Sequence, residues 1–124
     1  MGTHAMIGHW DKETGKVAAS YVHYDGYPEG VGKMLFAFYN NENRAKFVAE
    51  GGYLSSLEAD HARSRAESVH KDGCDWFGSI KEYMKEAVQN YGAHYSYLWD
   101  GEAWFVAPRD EKFTDVVTYI KGIS

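Results

Sequence analysis

The most chemically varied string in the sequence runs His23-Tyr24-Asp25-Gly26-Tyr27-Pro28-Glu29-Gly30-Val31-Gly32-Lys33. His23 and Asp25 offer an imidazole that titrates near neutral pH and a carboxylate, which suits acid–base chemistry or a pair of metal ligands. At a strand end, side chains two positions apart point the same way. The competing reading is architectural: Asp25 forms an Asx turn that caps a helix at Pro28, and His23 bonds to backbone. A metal site needs three or four converging ligands. His4, His9, His61, His70 and His94 show no diagnostic spacing, and His70 and Cys74 have only Asp75 beside them. No metal and no cofactor are expected.

Gly26 to Lys33 also resembles a phosphate loop at first sight. Such a loop needs four residues between its glycines and a hydroxyl after the lysine. Here five residues separate Gly26 from Gly32, Met34 follows Lys33, and Pro28 removes a backbone donor. A nucleotide-hydrolysing loop is therefore excluded. A weaker form survives: Gly30 and Gly32 near a helix start cost about 1 kcal/mol each against Ala, and a helix N-terminus favours anions. Close packing of the helix on a sheet explains the same glycines. Cys74 lacks the surroundings of a catalytic thiol, and no Gly-x-Ser-x-Gly elbow occurs. Arg63 and Arg65, with His61, form a basic cluster suited to phosphate or carboxylate, interleaved with Glu58, Asp60 and Glu67. The candidate binding set is thus His23, Tyr24, Asp25, Tyr27, Lys33, Arg63 and Arg65.

These residues need elements to hold them. Residues 4–10 and 16–24 flank a polar loop ending in Gly15, a hairpin signal. Aligning Trp10 with Lys16 puts Ala5, Ile7, Val17, Ala19 and Tyr21 on one core face. Pro28 suits a first helical position, and Val31, Leu35, Phe38 and Tyr39 recur at helical spacing. Asn40-Asn41 caps a short second helix through Arg44, Ala45 and Val48, which Gly51-Gly52 stops. Residues 55–74 leave a short helix, a loop or an extra strand open. Ser79-Ile80-Lys81-Glu82 is a capping box, followed by the helical face Ile80, Tyr83, Met84, Ala87, Val88 and Tyr91 up to Gly92. Asp100-Gly101 predicts a two-residue turn with both residues at positive φ, placing Tyr97 opposite Trp104 and Tyr95 opposite Val106. Phe113, Val116, Val117 and Ile120 predict a last helix over 111–121. The expected fold is α+β: an antiparallel sheet built from the N-terminal and C-terminal hairpins, with three or four helices packed on it, in one domain over 1–124.

The chain has 124 residues, and 44% are apolar against 25% charged, which fits one globular domain. Its net charge of −5 argues against non-specific nucleic-acid binding, which works by neutralising phosphates. One cysteine excludes an internal disulfide and fits a reducing compartment. No apolar run approaches about 18 residues, so no membrane partner is expected, and the first twenty residues carry no secretory pattern. Ten Tyr and four Trp suit cross-strand pairs or a binding surface.

The string from His23 to Lys33 resembles a group of uncharacterised small proteins of tailed bacteriophages, in which a hairpin runs into His-Trp-Asp-Gly-Tyr-Pro-Glu-x-Val-Gly. Leu54-Ser55-Ser56-Leu57 and the stretch Tyr95 to Val106 are similar as well, and His61 to Glu67 matches a His-Arg-Asp-Arg-Gly-Glu stretch. Tyr24 stands where that group has Trp, and Ala66 where it has Gly. The resemblance implies phage origin and the host cytoplasm, and it carries over no catalytic residue. The expectation is a phage accessory protein that binds a host protein or a small anionic molecule without catalysis, with a homo-oligomer allowed. An enzyme using His23 and Asp25, or a minor virion component, are the alternatives.

Overall fold

The computed structural model describes residues 3–54, 57, 74–109 and 112–116. The chain builds an α+β fold around a six-stranded mixed sheet. Strand β1 (Ala5–Trp10) pairs antiparallel with β2 (Val17–Val22). The turn between them is held by Gly15 at φ 76°, a conformation that glycine adopts without Cβ strain. Trp10 faces Val17, not Lys16, one residue away from the expected register. Ala5, Ile7 and Val22 therefore share one face, while Met6, Val17 and Ala19 share the other. Both faces are buried, so the sequence lacks the polar–apolar alternation that would have set the register.

After β2 the chain makes a π-helical turn over Pro28–Gly32 and continues into α1 (Lys33–Phe38). Val31, Leu35 and Tyr39 are buried, whereas Phe38 is exposed and lies outside the expected core face. Helix α2 (Glu42–Glu50) starts at Asn41, whose side chain accepts the Arg44 N–H at 2.9 Å, as its cap role requires. The chain returns as the edge strand β3 (Asp75–Phe77), antiparallel to β2. Ser79 then caps α3 (Ile80–Gln89) by accepting the Glu82 N–H at 3.1 Å, and Glu82 reaches back to the Gly78 N–H. This is the expected capping box, closed one residue early. Gly92 follows at φ 64°.

Strands β4 (Tyr95–Trp99) and β5 (Trp104–Pro108) form the second hairpin. Its register differs from expectation: Trp99 faces Trp104, Tyr97 faces Val106 and Tyr95 faces Pro108. The loop is four residues rather than two. The Asp100 carboxylate accepts the N–H groups of Glu102 and Ala103 at 2.8 and 2.9 Å, and only Gly101 of the pair has positive φ, at 106°. An Asx-type closure has replaced the tight primed turn. The short strand β6 (Thr114–Asp115) adds to β5, which together with the non-helical Lys112 and Phe113 corrects the start of the helix expected over 111–121; Val116 is helical, and 111 and 117–121 lie outside the described residues, as do 55–56 and 58–73 of the open segment.

The order β3-β2-β1-β4-β5-β6 joins the two hairpins through a parallel β1–β4 pair, so the sheet is mixed rather than antiparallel. Three helices are described, and they cover both faces. Helices α1 and α2 pack with Ile7, Val22, Tyr97 and Trp104, while α3 packs with Met6, Val17 and Leu98 through Tyr83 and Ala87. At the carboxyl end of β1, His9 Nε2 meets Glu42 Oε2 at 2.5 Å, and Trp99 Nε1 donates to Glu42 Oε1 at 3.0 Å. One carboxylate at the start of α2 thus ties that helix to β1 and β4.

That link has a pH signature. Partial burial pushes the Glu42 carboxyl up, but the hydrogen bonds from His9 and Trp99 and the nearby Lys46 charge outweigh it, so its pKa lies below the ordinary value. A depressed carboxyl pKa adds stability above its unfolded value, about 4.3, and loses it as pH falls through the folded value. Melting temperatures between pH 6 and pH 3 are expected to fall less steeply for Glu42→Gln than for the native chain. Parallel curves would show that the link carries no charge-dependent stability.

Candidate functional site

The parallel pairing of β1 with β4 brings the start of β1, the end of β2 and the approach to β4 to one end of the sheet. Three histidines meet there. The backbone N–H of His4 donates to His94 Nδ1 at 3.0 Å, and the His94 N–H donates to the His4 carbonyl at 2.9 Å. His4 Nδ1 donates to the His23 carbonyl at 2.7 Å, since a carbonyl can only accept. The His4 and His23 rings stack at 4.6 Å, and Tyr21 bonds His23 Nδ1 through its hydroxyl at 3.2 Å. Tyr24, half exposed, packs edge-on to His23 at 4.6 Å. Because His94 Nδ1 accepts a backbone proton, neutral His94 carries its own proton on Nε2, which is left as a donor.

The turn itself departs from both sequence readings of Asp25. Asp25 takes φ 60°, and its backbone carbonyl, rather than its carboxylate, accepts the Val31 N–H at 3.0 Å. The carboxylate accepts the Tyr27 hydroxyl at 3.3 Å. The Tyr27 pKa is consequently raised, by the Asp25 charge first, then burial, the hydrogen bond to Asp25 and the Glu29 charge. Among the described residues His23 and Asp25 do not pair, because each is engaged by a different tyrosine. Gly26 and Gly30 have packing reasons. A Cβ on Gly26 would sit 2.7 Å from the Thr3 carbonyl oxygen, and one on Gly30 would sit 2.5 Å from that of Asp25. Gly26 also presents its carbonyl to the buried Tyr97 hydroxyl at 2.6 Å. The anticipated helix N-terminus is absent as an anion site: the first turn is π-helical and α1 has six residues.

Beside the turn lies a cleft of about 370 Å³ lined by Thr3, Tyr27, His94, Tyr95, Pro108 and Arg109. The Arg109 backbone N–H is anchored to the His94 carbonyl at 2.9 Å, and its exposed guanidinium has no carboxylate partner among the described residues. Of the sequence-derived set, Tyr27 lines this cleft and His23, Tyr24 and Asp25 adjoin it through the stacked rings and the turn. Lys33 is exposed on α1, outside the lining. Arg63 and Arg65 lie outside the described residues. Sequence reasoning missed His4, His94, Tyr95 and Arg109 as site residues. Among the described residues, no three His, Cys, Asp or Glu side chains converge as metal ligands, and no helix is long and apolar enough to cross a membrane.

Compared with family models, curated proteins and solved structures, the chain matches none.

Proposed function

We propose that this is a non-catalytic binding protein whose cleft beside the Tyr27 turn takes a small anion carrying a planar group. The observation that carries this reading is the exposed Arg109 guanidinium, without a carboxylate partner among the described residues, at a cleft walled by Tyr27, Tyr95 and His94. A guanidinium presents a planar fork of donors to phosphate or carboxylate, His94 Nε2–H adds a neutral donor, and the tyrosine rings offer faces to a flat ligand. The enzyme alternative loses support because His23 and Asp25 are each held by a tyrosine rather than by one another. The phage-accessory setting, in the host cytoplasm, rests on the resemblance of the His23–Lys33 string; a host protein as partner, or a virion role, rests on the sequence alone.

The test is to recover the tagged chain from a bacterial lysate and identify the small molecules released on denaturation. A stoichiometric anion present with the native chain and missing with Arg109→Gln is expected. An eluate unchanged by that substitution, or lacking any such molecule, would remove the assignment to this cleft.

A further inference from the structure

A second concavity, on the opposite face of the sheet, has a different chemistry. It lies between α3 and the β4–β5 hairpin and measures about 720 Å³, within the range of ligand pockets. Its floor is apolar. Ile80, Met84 and Val88 project from α3 at four-residue intervals, one stripe of a helix, and Ala107 and Pro108 complete it from β5. Three ammonium groups, Lys81, Lys85 and Lys112, stand around this floor. None has a hydrogen-bond or ion-pair partner among the described residues. Lys81 and Lys85 are four apart on one helix, where like charges repel. Net charge is −5, so three cations around one apolar stripe are a local departure from the chain's own balance.

A buried polar group points the same way. Ser96 in β4 is 4% exposed and lines this groove. Its hydroxyl has no hydrogen-bond partner among the described residues, although buried hydroxyls are normally satisfied. Ser20, by contrast, donates to the Ala49 carbonyl at 2.6 Å and accepts the Gly52 N–H at 2.8 Å. A ligand oxygen in the groove would satisfy Ser96.

We infer that this groove binds a single-chain amphipathic carboxylate, its chain along Ile80, Met84 and Val88 and its head group among Lys81, Lys85 and Lys112 with Ser96 as a hydroxyl donor. Lysines act as point charges that need no bidentate geometry, and a carboxylate is the simplest anionic head group that such charges and one hydroxyl would hold. The inference is independent of the Arg109 cleft, which lines the other side of Pro108.

Sodium decanoate below its micelle concentration, titrated calorimetrically into the full chain, tests it, with decanol as the uncharged probe. Saturable one-to-one binding is expected, at least tenfold tighter than for decanol. Affinity should drop at least tenfold in Lys81→Glu/Lys85→Glu and severalfold in Ser96→Val, each with its melting temperature checked, and stay unchanged in Lys16→Glu, an exposed lysine outside the groove. Equal affinity for decanol, or an equal loss in Lys16→Glu, would overturn the head-group assignment. Absence of saturable binding, or binding to anionic lipid vesicles without binding to decanoate, would overturn the site.

Discussion

Trp104→Ala is expected to cost about 3–5 kcal/mol, the range for truncating a large buried aromatic. Trp104 is 2% exposed and sits where the sheet meets the α1–α2 layer. Its ring packs edge-on to Trp99 at 5.5 Å, and its Nε1–H donates to the Tyr39 carbonyl at 3.0 Å. Alanine removes the packing from both layers and also the hydrogen bond to that carbonyl at the end of α1. Trp104→Phe keeps most of the ring and removes the donor, so a smaller loss of about 0.5–1.5 kcal/mol is expected from the lost hydrogen bond. Urea unfolding of the two variants measures both. An alanine variant within about 1 kcal/mol of the native chain would mean that the hairpin does not pack against α1 as described.

Gly30→Ala is expected to lower stability by about 1–3 kcal/mol, as overpacking does. The new Cβ would lie 2.5 Å from the Asp25 carbonyl oxygen. That oxygen cannot swing aside cheaply, because it accepts the Val31 N–H and so fixes the turn. Gly32→Ala is the internal control. Its Cβ would be 3.4 Å from the Tyr97 ring, an ordinary contact, and the substitution should be neutral or stabilise by about 0.4–1 kcal/mol through the unfolded chain. Two thermal melts decide the matter. If both variants melt alike, the close approach at Gly30 is not what requires glycine there.

The parts of the fold legible in the sequence are those that neighbouring residues decide. Gly15, Asn41, Ser79 with Glu82, and Gly92 each act within a few positions, so their turns and caps stand where the spacing put them. The misplaced parts depend on distant partners. A core-spanning sheet buries both faces, leaving β1 and β2 without alternation to fix their register. Asp100 satisfies its own loop through its side chain, which lengthened a turn expected to be tight. The parallel β1–β4 pair joins residues ninety positions apart, as the His4–His94 bond shows, and nothing local announces it. The same pairing makes the cleft. Tyr27 was visible as one member of an unusual string, but Arg109 and His94 belong to the site only because the second hairpin docks beside the first.

The most direct measurement is a calorimetric titration of phenyl phosphate, a planar group bearing an anion, into the native chain and into Arg109→Gln. Arg109 is exposed and its side chain holds nothing else among the described residues, so the variant should melt with the native protein. Saturable one-to-one binding to the native chain, weakened at least tenfold in Arg109→Gln at an unchanged melting temperature, is expected if the cleft beside the Tyr27 turn is an anion site. Equal affinity in the two proteins, or no saturable binding to either, would contradict it and leave the His23–Lys33 turn as architecture.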